Sequence, residues 1–135
     1  MMTTSSEVQP VIVDSFAWIE YFKGSQRGRM ASKIIDDVKI PIFTVDACLA
    51  ELKFWALTES YPVEAILREV QRISNLLSTD SEDWLSSAVI KFEKRKTVSG
   101  IGMIDCLVIY HAKQLNAEIL TGDQHFKLES NVILI

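Results

Sequence analysis

Short apolar segments alternate with longer amphipathic ones along this chain of 135 residues. The first, Val11–Val13, is a β-branched run of the kind that forms a strand buried on both faces of a parallel sheet. Further strands are expected in four segments, at residues 40–45, 75–78, 117–123 and 132–135. The first four of these five strands are separated by enough chain for at least one helix each.

The first interval between strands has room for two helices. The segment SFAWIEYFKG places aromatic and aliphatic side chains on one or two faces and ends at Gly24, a typical helix stop. A second helix is expected over residues 29–38. Its apolar face would consist of Met30, Ile34 and Val38.

Four more helices are expected further along the chain. Asp46 is well placed to cap the helix ACLAELKFWALTES, which Pro62 ends, and the same proline can open the next helix. Thr79 with Glu82 resembles a capping box for a helix after the third strand. That helix has an apolar stripe of Leu85, Ala88, Val89 and Phe92. The last helix, MIDCLVIYHAKQLN, ends at Asn116.

This alternation predicts the α/β class, with a three-layer α/β/α sandwich around a mainly parallel central sheet. The length suits one domain, expected at residues 11–135 after a flexible tail at 1–10. The tail has neither the basic start nor the apolar run of a signal peptide. No apolar stretch approaches the roughly 18 residues that a membrane helix needs. The protein is therefore expected to be soluble and cytoplasmic.

Composition restricts the chemistry. Cys48 and Cys106 lie inside helical patterns, so they are expected to be buried, reduced thiols. Together with His111 and His125 they form no array with zinc-ligand spacing. The formal charge of −4 argues against a basic nucleic-acid-binding surface. If four carboxylates are committed to a metal, however, the rest of the chain sums to −4 + 4 = 0.

Four acidic residues stand out by their positions. Asp14 and Asp123 follow strands, where open parallel sheets bind ligands, although either residue could instead cap the structure that follows it. Glu51 and Asp105 fall within apolar helix faces that offer no paired cation. For these two, the alternative is a structural acid that accepts backbone hydrogen bonds.

A shared metal site accounts for all four acids. A carboxylate on a buried face loses hydration worth several kcal/mol and needs a cation, hydrogen bonds or a proton to recover it. Four carboxylates in one cleft repel one another unless a cation joins them, and hard oxygen ligands suit Mg²⁺ or Mn²⁺. The sequence therefore predicts a cluster of Asp14, Glu51, Asp105 and Asp123 around one or two ions.

At these residues the chain resembles the PIN domains, especially the VapC-type toxins of toxin–antitoxin pairs. VIVDSFAWIEYF is similar to that family's opening strand and first acid, and the helix LAELKFW carries its glutamate. GMIDCLVIYHAKQLNAEILTGDQHF is similar to its closing segment, with two aspartates eighteen positions apart. Ser15 and Thr121 match small hydroxyl positions that support the site in the family, whereas His125 stands where many relatives carry another acid.

The resemblance implies a Mg²⁺- or Mn²⁺-dependent endoribonuclease, frequent homodimers and a small antitoxin partner. Asp14, Asp105 and Asp123 would hold a cation that lowers the pKa of a water, and Glu51 would complete the site. Part of the aromatic cluster Phe16, Trp18, Tyr21 and Phe22 is a candidate dimer or antitoxin surface. The candidate RNA contacts are Arg27, Arg29, Lys94, Arg95, Lys96 and His125.

Two other functions are compatible with a strand-end aspartate. The first is a PIN-like scaffold that binds RNA or protein without cutting it. The second is an aspartyl-phosphate protein, either a phosphatase or a receiver domain. The phosphatase would want an aspartate at position 16, where Phe16 stands, and the receiver would want adjacent acids that the chain lacks.

Overall fold

A five-stranded parallel sheet forms the centre of the molecule in the computed structural model, which describes residues 8–135. The strands lie in the order β3-β2-β1-β4-β5, and every neighbouring pair is parallel. They are β1 (Val11–Val13), β2 (Ile42–Val45), β3 (Asn75–Leu77), β4 (Glu118–Thr121) and β5 (Val132–Leu134). All five predicted strands are present, and the predicted parallel sheet is confirmed.

Six α-helices connect the strands. They are α1 (Ser15–Lys23), α2 (Gln26–Ile35), α3 (Asp46–Thr58), α4 (Val63–Ile73), α5 (Ser81–Lys94) and α6 (Met103–Leu115). A short 3₁₀ turn, Gln124–Phe126, follows β4. No helix within residues 8–135 is long and apolar enough to span a membrane.

Alternate residues of the strands divide the core between the two faces of the sheet, as the two-residue period of a strand requires. Ile12 and Ile119 point to the face covered by α6. Val11, Val13 and Leu120 point to the opposite face, which carries α1, α2 and α4. The sheet is therefore buried on both sides, which explains the uninterrupted apolar runs in its central strands.

The predicted tail, residues 1–10, falls mostly outside the described residues. Of the part that is described, Gln9 donates a side-chain hydrogen bond to the backbone oxygen of Asn116 at 3.1 Å. The carbonyl of Pro10 accepts the backbone N–H of Glu118 at 3.0 Å. Both bonds attach the start of β1 to the start of β4.

The second helix begins earlier than predicted and has a different buried face. Ser25 caps it by accepting the N–H of Gly28 at 3.0 Å, a signal that the predicted start at residue 29 missed. The helix ends at Ile35, so Val38 lies beyond it and is 98% exposed. The buried residues of α2 are Gly28, Ala31 and Ile35. A side chain on Gly28 would collide with the backbone oxygen of Glu20, which shows how closely α1 and α2 approach.

Two predicted caps also differ in the structure. Asp46 is the first residue of α3, and its carboxylate accepts bonds from the N–H and hydroxyl of Thr79 as well as from the N–H of Ala47. Because Thr79 is used in this way, the capping box of α5 forms one residue later, between Asp80 and Asp83. The helix was predicted correctly, but the predicted box of Thr79 with Glu82 was wrong.

The predicted apolar stripe of α5 is on its exposed side. Leu85, Val89 and Phe92 are 61%, 56% and 64% exposed, and α5 instead buries Ser87 and Ile90. Helical spacing identifies an apolar face but does not say what covers it. Arg95 lies over the Phe92 ring, and the rest of the stripe stays exposed within residues 8–135.

Candidate functional site

The four predicted acids meet at one end of the sheet. The strand order reverses between β1 and β4, and ligands of open α/β sheets bind beyond the carboxyl ends of strands at such a point. Asp14 follows β1 and Asp123 lies two residues after β4, while α3 and α6 bring Glu51 and Asp105 to the same place. The charges of Asp105 and Glu51 raise the pKa of Asp14, and the charges of Asp105 and Asp123 raise the pKa of Glu51, so the four carboxylates share one cleft.

Asp14 is the deepest of the four, with 3% of its surface exposed. Its backbone N–H donates to the carbonyl of Leu120 at 3.0 Å, and its side chain accepts the hydroxyl of Thr121 at 2.9 Å. Burial raises the pKa of Asp14 to about 7, the Thr121 bond opposes this increase, and the charges of Asp105 and Glu51 add to it. The ionised carboxylate of Asp14 is therefore unfavourable at this position unless it takes up a proton or binds a cation.

Glu51 lies in the second turn of α3 and is partly buried. The hydroxyl of Ser15 donates to it at 2.8 Å, which fixes the carboxylate against the start of α1. Burial raises the pKa of Glu51, the Ser15 bond opposes this, and the charges of Asp105 and Asp123 raise it further. Ser15 thus holds the position of Glu51.

Asp105 lies in the first turn of α6, where it accepts the backbone N–H of Gly102 at 2.9 Å. This bond satisfies a free N–H at the helix start, so the residue also has the structural role weighed from its sequence position. Burial nevertheless raises its pKa, and the nearby charge of Asp123 adds to the increase. A cap alone does not explain why this acid faces other acids.

Asp123 is fixed by the turn that follows β4. Its N–H donates to the hydroxyl of Thr121 at 3.0 Å, and its carboxylate accepts the N–H of His125 at 2.9 Å. Thr121, which is fully buried, therefore links Asp123 to Asp14 through a single hydroxyl.

The donor set fits a hard divalent cation. Two groups place potential ligand atoms within 4.8 Å of one another, Asp14 with Cys48 and Glu51, and Asp105 with Asp123 and His125. The His125 Nδ1 atom is buried without a hydrogen-bond partner beside these carboxylates, as an unfilled ligand would be. Burial and the charges of Asp14 and Glu51 hold the pKa of Cys48 well above its usual value, so its thiol stays neutral. Carboxylate oxygens are therefore the main ligands that the site offers.

Gly122 allows the first helix to approach the site closely. A Cβ atom on this residue would lie 2.3 Å from Cε1 of Phe16, well inside contact distance. Arg27 also approaches the Phe16 ring, with its guanidinium carbon 5.7 Å from the ring centroid. Phe16 thus connects Arg27 to the strand end that carries Asp123.

The other candidate RNA contacts have varied surroundings. Lys94 pairs with Glu129 at 2.6 Å, and Arg95 lies over the Phe92 ring at 3.9 Å. Arg29 is exposed and donates to the carbonyl of Gly24 at 3.3 Å, and Lys96 is exposed. Sequence reasoning missed Lys91, which donates to the carbonyl of Ile101 and whose charge lowers the pKa of Asp105. Its position inside α5 gave no local signal, because its acidic neighbour is on another helix.

Several solved structures share this fold. A toxin–antitoxin complex from Klebsiella pneumoniae is 15% identical with a TM-score of 0.72, covering 91% of this chain and 95% of its own. VapC20 of Mycobacterium tuberculosis, described as a sarcin–ricin loop cleaving toxin, is 12% identical with a TM-score of 0.73, covering 90% and 96%. VapBC2 of Rickettsia felis, bound to a promoter DNA fragment, is 18% identical with a TM-score of 0.67, covering 93% and 96%. At these identities, the likeness shows a shared fold.

The sequence itself gives the family. No curated protein was similar enough in sequence to count as a match. The model of the PIN domain family, a family of nucleases, matches residues 11–128. This range contains every strand of the sheet except β5 and all four clustered acids. The predicted resemblance is thus confirmed, and the chain belongs to the PIN domain family.

Proposed function

We propose that this protein is a Mg²⁺- or Mn²⁺-dependent endoribonuclease that hydrolyses RNA phosphodiester bonds. One observation carries the proposal: four carboxylates from four elements converge at the strand-order reversal, where burial and mutual repulsion raise the pKa values of three of them. Such a cluster costs folding free energy unless a cation or a proton compensates it. The family is one of nucleases, and a backbone phosphodiester is their substrate.

Each of the four carboxylates has its own role in the proposed reaction. A bound divalent cation supplies the Lewis acidity that activates water and offsets phosphate charge. Asp14, Asp105 and Asp123 would hold the cation, and Glu51, oriented by the Ser15 hydroxyl, would complete the ligand set or accept a proton from water. Thr121 keeps Asp14 and Asp123 in fixed relative positions. The ligand atoms fall into two groups, Asp14 with Glu51 and Asp105 with Asp123 and His125, so the cluster could hold one ion or two.

The substrate backbone is held by basic residues around the cleft. Arg27, supported by Phe16, has a direct structural connection to the site. Arg29, Lys94, Arg95 and Lys96 are the other proposed contacts. Phosphate contacts of this kind are independent of base sequence and weaken as salt increases.

A cleavage assay tests the catalytic proposal. The wild-type protein should cut a mixed RNA in Mn²⁺ and lose this activity in chelator. Asp14→Asn and Asp105→Asn should each abolish cleavage while the fold persists, because each change removes a charged ligand but little volume. Near-normal cleavage by either purified variant would refute the assignment. A non-catalytic scaffold would bind RNA without cutting it, and an aspartyl-phosphate protein would take up label from acetyl phosphate.

We further propose that the protein is a cytoplasmic toxin that a small antitoxin neutralises. Structural neighbours from Klebsiella pneumoniae and Rickettsia felis are complexes of this kind. An apolar groove between α1 and α4, lined by Phe22, Tyr61, Pro62 and Ile66, offers a surface for a protein partner. In contrast, Trp18 of the predicted aromatic surface is fully buried.

Expression in a bacterium tests the toxin role. The wild-type protein expressed alone should arrest growth, and Asp14→Asn should relieve the arrest, because the arrest depends on RNA cleavage. Growth curves at matched protein abundance provide the measurement. If both proteins are equally harmless, the toxin role loses its support, whereas the nuclease proposal is judged by the cleavage assay.

A further inference from the structure

His125 directs a ring nitrogen at the acid cluster without bonding to it. Nδ1 lies 2.9 Å from Oδ1 of Asp123 and 3.5 Å from Oδ2 of Asp105. It is nevertheless buried with no partner in hydrogen-bond geometry. On the other edge of the ring, Nε2 lies against Gly100, where a Cβ atom would be 3.5 Å away. The ring is thus held between the Gly100 turn and the two carboxylates.

These separations are those of neighbouring ligands on one cation. With metal–ligand distances of about 2.0–2.1 Å and octahedral geometry, adjacent ligand atoms are about 2.9 Å apart. The distance from Nδ1 to Asp123 has this value, and the distance to Asp105 exceeds it by an amount that a small side-chain rotation removes. An unprotonated imidazole nitrogen at these distances is repelled by the carboxylate oxygens, and a protonated one lacks the geometry for a hydrogen bond to them.

We propose that His125 is a metal ligand through Nδ1, together with Asp105 and Asp123, and that it gives this site a preference for Mn²⁺ over Mg²⁺. The inference rests on the metal-dependent function proposed above and assigns one residue within it. His125 would thus place a neutral nitrogen among ligands that are otherwise charged oxygens.

The metal preference follows from ligand chemistry. Mg²⁺ selects oxygen ligands almost exclusively, whereas imidazole is a good ligand for first-row transition ions. A neutral nitrogen also reduces the negative charge of the site, which weakens the electrostatic attraction that Mg²⁺ depends on. Replacing one carboxylate by imidazole therefore weakens Mg²⁺ binding more than Mn²⁺ binding.

Pulsed electron paramagnetic resonance of the Mn²⁺-loaded protein tests the ligand assignment directly. A coordinated imidazole gives ¹⁴N modulations, which should disappear when the protein is prepared with ¹⁵N-histidine. His125→Asp should also abolish them. His111→Gln is the matched control. His111 is the other histidine of the chain and its Nε2 atom lies 3.1 Å from the Thr79 hydroxyl, so this substitution should leave the ¹⁴N signal intact. In competition between the two ions, His125→Asp should lower the Mn²⁺ preference by about tenfold or more.

The possible outcomes separate the two proposals. Mn²⁺ binding without ¹⁴N coupling overturns the assignment of His125 and leaves the nuclease proposal standing. An unchanged Mn²⁺ to Mg²⁺ preference in His125→Asp overturns the selectivity. If ¹⁴N coupling is seen but the protein cuts no RNA, the assignment of His125 as a ligand is supported and the nuclease proposal is contradicted. Failure of the wild-type protein to bind Mn²⁺ overturns the ligand assignment and the metal dependence together.

Discussion

Asp14 shows how a single residue carries the electrostatic cost of the site. It follows a strand that is buried on both faces, so its carboxylate cannot reach bulk water. Only one side-chain donor, Thr121, compensates for this loss of hydration. The hydration that this bond does not replace raises the pKa of Asp14 to about 7, so the position favours a bound proton or cation.

The pH dependence of the metal-free protein should reflect this residue. Because the folded pKa of Asp14 is raised above its ordinary 3.8, the folded state binds more protons than the unfolded state between about pH 4 and pH 7. The contribution of Asp14 to the free energy of unfolding is therefore fully present below about pH 4 and is lost as the pH rises through 7. The loss from this residue is on the order of 4 kcal/mol.

Urea unfolding in chelator at pH 5 and pH 8 measures this effect. Asp14→Asn keeps the shape and can still accept the Thr121 hydroxyl, so it should be less sensitive to pH than the wild type. The raised pKa values of Glu51 and Asp105 act in the same direction and leave part of the slope in the variant. Equal slopes for the two proteins would contradict the account of Asp14.

At the scale of single elements, patterns in the sequence predicted the presence of each helix or strand more reliably than the residue at which it begins. Strand β3 and helix α5 appear as expected, because their apolar periodicity is a local property. The start of α2 was displaced because one serine cap, Ser25, decides it. The cap of α5 moved because Thr79 bonds Asp46, thirty-three residues away. Such long-range bonds have no local signature.

The exposed stripe of α5 leads to a prediction about assembly. Leu85, Val89 and Phe92 present apolar surface that residues 8–135 leave largely exposed, and we propose that it forms the contact of the homodimer that the family resemblance implies. The wild type should be a homodimer, and Val89→Lys should be a folded monomer because it places a charge in the apolar contact. Sedimentation velocity measures both.

A charge added elsewhere provides the control for this prediction. Gln71→Lys changes an exposed position on α4 and should leave the dimer intact. A wild-type monomer at high micromolar concentration, or a dimer of Val89→Lys, would exclude this stripe as the dimer contact.

At the scale of the whole molecule, the site depends on pairing that the sequence alone could not show. The alternation of strands and helices indicated a parallel sheet, but the order β3-β2-β1-β4-β5 arises from long-range pairing. That order places β1 beside β4, and so Asp14 beside the turn that holds Asp123. The four acids could be predicted because strand ends and apolar helix faces are unusual places for unpaired carboxylates. Lys91 could not, since its acidic neighbour Asp105 is on another helix.

The stability of the whole fold should therefore depend on metal. Without a cation the four carboxylates repel one another, so removing one charge should relieve the repulsion. Asn at position 105 can still accept the Gly102 N–H, which preserves the start of α6. A cation that binds only the folded state, at a hundred times its dissociation constant, stabilises it by roughly 2.7 kcal/mol. In a domain of this size that raises the melting temperature by about 4 °C or more.

Calorimetric melts of the wild type and Asp105→Asn, each in chelator and in excess Mn²⁺, test the shared metal site most directly. In chelator the variant should melt at or above the wild-type temperature, since it has lost a repulsive charge. In Mn²⁺ the order should reverse, because the wild type gains the full stabilisation and the variant lacks a ligand. If Asp105→Asn instead lowers the midpoint by the same amount in both buffers, Asp105 is only a structural cap, and the four carboxylates do not share a cation.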